Sequence, residues 1–178
     1  MTLVPRLTTE RLLLRGFEAR DFDAYAAMMA DPEVMRHLGD GRPLSRADAW
    51  RALAMFAGHW VLRGFGVWAV EERATGSFIG RIGCWEPEGW PGFELAYTLA
   101  RHAWGRGYAR EGAAAALAYA RETLRRDDII SIIRPDNAAS IRVAESLGAV
   151  PDGTIEFFGS AAVIYRYPHP TRRLHPGA

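Results

Sequence analysis

Arg101-His102-Ala103-Trp104-Gly105-Arg106-Gly107-Tyr108-Ala109-Arg110-Glu111-Gly112 is the stretch on which the reading of this chain turns. An apolar run, Phe93 to Leu99, leads into it, and an alanine-rich segment from about Ala109 to Arg125 with helical spacing leads out. Residues 103–108 contain no Ser, Thr, Asp or Asn, the side chains that normally cap the unpaired N–H groups of a helix start. The amides are therefore expected to stay free beside Gly105, Arg106 and Gly107, as a site for a phosphate or other anion requires. The plainer alternative is a glycine turn that only joins a strand to a helix.

Working outward, 178 residues suit one α/β domain, with a core expected over about residues 8–167 and a mobile tail over 168–178. A net charge of +1 argues against nucleic acid or an anionic membrane as partner. All 22 basic residues are arginine, which excludes Schiff-base chemistry and a Walker-type phosphate lysine. The single Cys84 excludes an internal disulfide, and five histidines without ligand spacing leave no metal site to expect. With no signal peptide and no spanning apolar run in the sequence, a cytoplasmic setting is the default expectation.

In chain order, Thr8 to Arg15 reads as a first strand. Asp21 is expected to cap a helix through Phe22, Tyr25, Ala26 and Met29, and Asp31-Pro32 to restart it. Ser45 caps the next helix, for which Trp50, Leu53, Ala54, Ala57 and Val61 form the expected core stripe, with Gly64 and Gly66 as its end. Phe65–Val70 and Ser77–Cys84 make a hairpin about Ala74-Thr75-Gly76. Phe93–Leu99 is the fourth strand. On the following helix, Ala113, Ala116, Leu117, Ala120 and Leu124 face the core, and Glu122 and Arg126 form a solvated pair. The β-branched run Ile129–Ile133 reads as a buried strand, ended by Arg134-Pro135. Asp136-Asn137 cap a helix stopped by Gly148, and strands at about 154–158 and 163–167 bring the total to about seven.

Three segments then stand in an order that resembles the GNAT superfamily of acyl-CoA N-acyltransferases. They are Gly66-Val67-Trp68-Ala69-Val70 with Thr75-Gly76 and Ile79-Gly80, then Trp104-Gly105-Arg106-Gly107-Tyr108-Ala109, then Asn137-Ala138-Ala139-Ser140 with Glu145 and Leu147-Gly148. More narrowly they resemble the branch named for ribosomal-protein-alanine N-acetyltransferases. The resemblance implies a mixed, mostly antiparallel sheet with helices on both faces and two central strands splayed into a V that holds acetyl-CoA. It implies cofactor contacts from Thr98, Leu99 and Ala100, from Gly105, Arg106, Gly107, Tyr108 and Ala109, and from Asn137. Trp104 stands where the superfamily usually has Gln or Arg. The implied reaction is direct transfer of the acetyl group to a primary amine, on a protein N-terminus or a small molecule, by a monomer or homodimer. A non-catalytic acyl-CoA-binding or sensing domain is the alternative, and a dinucleotide oxidoreductase is disfavoured by the missing third glycine of Gly-x-Gly-x-x-Gly.

Direct transfer requires a neutral amine, a donor for the oxyanion and help for the departing thiolate. Glu94, placed with Ala96 and Thr98 on one face of its strand, is the first candidate base; an ion pair with an arginine is the competing reading. Glu86, Glu88 and His102 are lesser candidates. Many members of the superfamily place a tyrosine seven residues after the motif asparagine; here that position is Ala144. Ser140 is left to stabilise the sulfur, or simply to satisfy a backbone group at its helix start. Asn137 can cap, bind cofactor or do both, and Arg106 and Arg110 can reach phosphates. Trp50, Trp60, Trp85 and Trp90 are candidates to line an acceptor pocket, and Cys84 is read as packing.

Overall fold

The computed structural model describes residues 4–169. The tail expected to be mobile lies outside the described residues from position 170 onward; before that, the Pro168 carbonyl accepts from Arg121 at 2.8 Å. Eight strands form one sheet in the order β1-β2-β3-β4-β5-β6-β8-β7. They are β1 (Leu7–Thr8), β2 (Leu12–Arg15), β3 (Val67–Glu72), β4 (Ser77–Trp85), β5 (Glu94–Leu99), β6 (Ile130–Ile133), β7 (Val150–Phe157) and β8 (Ser160–Arg166). Every pairing is antiparallel except β5 with β6. The count exceeds seven because the first expected strand is broken: the Thr9 N–H donates to the Leu12 carbonyl, turning β1 back on β2.

Sheet alternation divides the interior into two cores. Ile82, Cys84, Leu95 and Leu99 pack with α4 (Tyr108–Glu122) and α5 (Ala138–Ser146) on one face. Phe78, Trp85 and Ala96 pack with α1 (Phe22–Ala30), α2 (Pro32–Met35) and α3 (Arg46–Arg63) on the other. On α4 the buried residues are Ala113, Ala116, Leu117 and Ala120, small enough to bring the helix close to the sheet. Their neighbour Gly112 leaves no room for a methyl: a Cβ there would lie 2.5 Å from Ile82 Cδ1.

The caps Asp31, Ser45 and Asn137 accept from backbone N–H groups at their helix starts as the sequence indicates. Asp21 does not. Its carboxylate is drawn into a fork with Arg15, at 2.7 and 2.8 Å, and accepts from Glu18 N–H, so a buried ion pair displaces the cap. The stripe expected on α3 is out of phase. Ala49, Phe56, His59 and Trp60 face inward, while Trp50 and Val61 are exposed. Arg126 forks onto Glu86 and Asp128 and covers the Phe93 ring at 4.2 Å, so it is no solvated partner of Glu122.

One irregularity re-aims a side chain. In β4 the pairing shifts so that Val70 faces Gly80 while Glu71 faces Phe78, which makes Ile79 an extra residue. Such a bulge flips the faces beyond it, and it turns Arg81 towards α1 and α3 instead of the α4 core. Gly80 permits it: its φ is +155°, and a Cβ would lie 2.4 Å from the Thr98 carbonyl.

Candidate active site

β5 and β6 are in register only at Glu94↔Ile130 and diverge towards the C-terminal end of β5. The gap between them opens the sheet into a V. Along β5 the main-chain groups alternate sides. Ala100 N–H donates to Ile79 of β4, whereas the Phe93 carbonyl receives Ile130 N–H and the Leu95 carbonyl receives Ser131 Oγ. By the same alternation Tyr97 and Leu99 point their amides into the V, and Thr98 points its own towards β4. Ala100 is therefore corrected as a cofactor contact: its amide is occupied, and it packs with the α1–α3 core. Thr98 can contribute its side chain, not its amide. The Tyr97 hydroxyl spans the V and donates to the Ser140 carbonyl at 2.9 Å, tying β5 to the first turn of α5.

Two cavities meet in this V. One, of about 660 Å³, runs past Leu99, Gly105, Gly107, Tyr108 and Ala109 to Asn137 and Ser140. Gly107 occupies the cap position of α4 in the left-handed region (φ +79°) with no side-chain cap. Among the described residues no carbonyl or side chain accepts from the N–H groups of residues 105–110, and the first helical bond runs from Glu111 N–H to Gly107. These free amides and the glycine backbone fit a pyrophosphate. Arg36, Arg110 and Arg142 add positive charge to the same wall. The Arg106 side chain does not join them. It turns to Glu72, at 3.0 Å, and lies 4.7 Å from the Tyr108 ring centre, while its carbonyl is held by Arg11. Trp104 Nε1 closes the carbonyl end of the strand by donating to Leu99 at 2.7 Å.

The second cavity, about 580 Å³, is lined by Met29, Phe56, Arg81, Trp85, Trp90, Glu94, Phe157 and Phe158 among others. Tyr97, Thr98, Asn137 and Ser140 line both cavities, so their shared wall is the junction. Glu94 is buried and accepts from Trp90 Nε1 at 2.8 Å and, at a longer 3.4 Å, from Ile132 N–H. Burial pushes its carboxyl up to about 7, against the opposing pull of those two donors and of Arg81. Among the described residues no arginine forms an ion pair with it, and Arg81 acts on it only through its charge. Asn137 caps α5 through Oδ1 to Ser140 N–H at 3.2 Å and still faces the cavities. Ser140 Oγ makes no hydrogen bond among the described residues, so it is not spent on its own helix.

The lesser candidates separate cleanly. Glu86 is taken by Arg126, Glu88 meets Arg63 at the surface, and exposed His102 borders neither cavity. Trp85 and Trp90 line the second cavity; Trp50 is exposed, and Trp60 is core, bonded to the Val67 carbonyl. Cys84 is fully buried with its thiol pushed up to about 12 by desolvation, as befits packing. Ala144, where a tyrosine is common in the superfamily, is core as well. The sequence reading passed over Arg81, Tyr97, Phe157 and Phe158. Ile79-Gly80 inside a strand was the available signal for the bulge that places Arg81.

The description "Acetyltransferase (GNAT) domain" matches residues 11–150. YkkB of Bacillus subtilis (strain 168), itself uncharacterized, is 32% identical over 173 residues, covering 93% of this chain and 96% of its own. An acetyltransferase structure from Agrobacterium tumefaciens is 34% identical with a TM-score of 0.83, covering 93% and 95% of the two chains. RimL, a ribosomal-protein acetyltransferase solved with coenzyme A, shares the fold at TM-score 0.74 and 17% identity over 92% and 98%. With the V-shaped cleft and the uncapped glycine turn, these matches establish that the chain belongs to the GNAT family of acetyl-CoA-dependent acetyltransferases.

Proposed function

We propose that this protein transfers the acetyl group of acetyl-CoA directly to a primary amine entering through the aromatic cavity. The observation that carries the reading is the junction at Tyr97, Thr98, Asn137 and Ser140, where a cleft with free phosphate-binding amides meets a second cavity containing a buried carboxylate. The pyrophosphate rests on the amides of residues 105–109, and the pantetheine runs along Leu99 and Tyr97. At the junction the V-facing Tyr97 or Leu99 amide is aimed at the oxyanion that forms when the amine attacks the thioester. Glu94, whose carboxyl titrates near neutrality, receives the proton of the attacking ammonium through water. Ser140 Oγ, with its hydrogen still unassigned, stabilises the departing thiolate.

Two variants test the reading separately. Gly107→Val places a β-branched residue at positive φ against the Arg11 guanidinium, 3.4 Å from the new Cβ. Calorimetry should show acetyl-CoA affinity at least about tenfold weaker, since the amides at this turn move. Glu94→Gln should bind acetyl-CoA normally and release CoA thiol on the order of 10²-fold more slowly. Retention of affinity by the first variant overturns the cradle, and retention of rate by the second overturns the base.

A further inference from the structure

Arg81 stands apart from the other charged and titratable residues that line the acceptor cavity, His37, Asp40, Glu94 and Arg134. Its Nε lies beyond solvent contact with no hydrogen-bond partner, and no carboxylate stands within ion-pair distance of it among the described residues. The guanidinium instead lies 4.7 Å from the Phe56 ring centre and borders the acceptor cavity. The hydroxyl of fully buried Tyr25 is likewise without a partner. Burial pulls the Arg81 pKa down, and Glu94 and Tyr25 oppose that pull only at a distance. Buried cations are nearly always paired, because desolvation is otherwise uncompensated. The β4 bulge delivers this residue to the cavity, and its direct cross-strand neighbour is Thr98, at the junction of the two cavities.

We infer that the acceptor is an amino acid in the chemical sense, a primary amine whose own carboxylate pairs with the Arg81 guanidinium in the acceptor cavity. This rests on the acetyl-transfer reading above. A guanidinium presents a planar fork matched to a carboxylate. Cross-strand neighbours hold their Cβ atoms about 5 Å apart, so Arg81 leaves the sheet directly beside Thr98 at the junction. An α-amino acid carries its carboxylate one carbon from the amine, so both groups enter the same cavity together. A peptide N-terminus bears an amide there and leaves the guanidinium unpaired. Trp85, Trp90, Phe157 and Phe158 then receive an apolar or aromatic side chain.

The test pairs L-α-amino acids, phenylalanine, tryptophan, leucine and methionine first, with their carboxamides, and adds phenylethylamine and an alanine-initiated peptide. CoA-thiol release is measured with saturating acetyl-CoA, and acceptor binding is followed by intrinsic tryptophan fluorescence, with calorimetry for tryptophan itself. At neutral pH the carboxamide has the less basic and therefore more neutral amine, so reactivity alone favours it. Wild-type protein should nonetheless prefer at least one amino acid over its carboxamide by tenfold or more in kcat/KM. Arg81→Gln should cut that preference to within about twofold, chiefly through KM, with acetyl-CoA affinity unchanged, and Arg81→Lys should restore part of it. Equal or better use of carboxamides by wild-type protein overturns the inference whatever the variants do, as does a preference that survives Arg81→Gln. If no amine is acetylated but amino acids, not carboxamides, quench the tryptophans, the transfer reading fails and the anion site stands. If neither class binds or reacts, the anion site fails.

Discussion

At the scale of single residues, Glu94 carries the most consequences. Its folded-state pKa of about 7 lies above the ordinary carboxylate value of 4.5. The folded protein therefore holds this proton more tightly than the unfolded chain does, and the contribution of this one group to stability is greatest below about pH 4.5. It falls as the pH rises towards 7 and levels off above, a cost on the order of 3 kcal/mol. Two outcomes follow from the same number. The kcat/KM profile should rise to an inflection near pH 7 that Glu94→Gln removes. In chemical denaturation at pH 8 that slow variant should be at least as stable as wild type, because an amide in the same place carries no charge to desolvate; a clear loss of stability contradicts the assignment. Catalytic competence and local stability thus oppose each other at one side chain.

At the scale of elements, the site depends on how strands and helices are fastened. Tyr97 and Ser140 fasten β5 to α5 across the V, and Asn137 fixes the first turn of α5. On the acceptor side, the buried fork between Arg15 of β2 and Asp21 anchors the start of α1, whose Met29 lines the cavity. Removing Asp21 leaves the buried Arg15 guanidinium with Glu71 as its remaining close partner, at 2.9 Å. Asp21→Ala should therefore destabilise by about 2–3 kcal/mol in urea titrations, beyond the loss of a typical helix cap. The expected cap role of Asp21 was a fair reading of local signals, and pairing with Arg15 at the end of β2 overrode it. The same holds for α3. Its length, its Ser45 cap and its Gly64 stop were legible, but which face it buried was not, since Trp50 and Leu53 satisfy a helical period as well as Phe56 and Trp60 do.

At the scale of the molecule, the sheet serves as a frame for two cavities, with α1–α3 walling the aromatic cavity and α4–α5 the cleft at the uncapped turn. The uncapped turn, the divergent strands and α5 all border the cofactor cleft, so acetyl-CoA should stabilise the whole protein through mass action. At a hundredfold excess over Kd the gain is about 2.7 kcal/mol, visible as a rise in melting temperature, and NAD at equal concentration should produce none. An equal shift with NAD would reverse the preference for acetyl-CoA over a dinucleotide.

Local patterns in the chain determined the order of strands and helices, the uncapped turn at Gly105–Gly107, the cap of α5 and the family to which they point. These were legible because each depends on neighbours within a few residues: a missing cap, a glycine at positive φ, an apolar period. Tertiary structure alone decided which main-chain groups of β5 face the V, that Arg106 turns to Glu72, and that Arg126 pairs with Glu86. It alone brought Arg81, Trp90 and Phe157 around one cavity. Strand register and a one-residue bulge control those placements, and register is set by contacts between segments far apart in the chain, which no local period records.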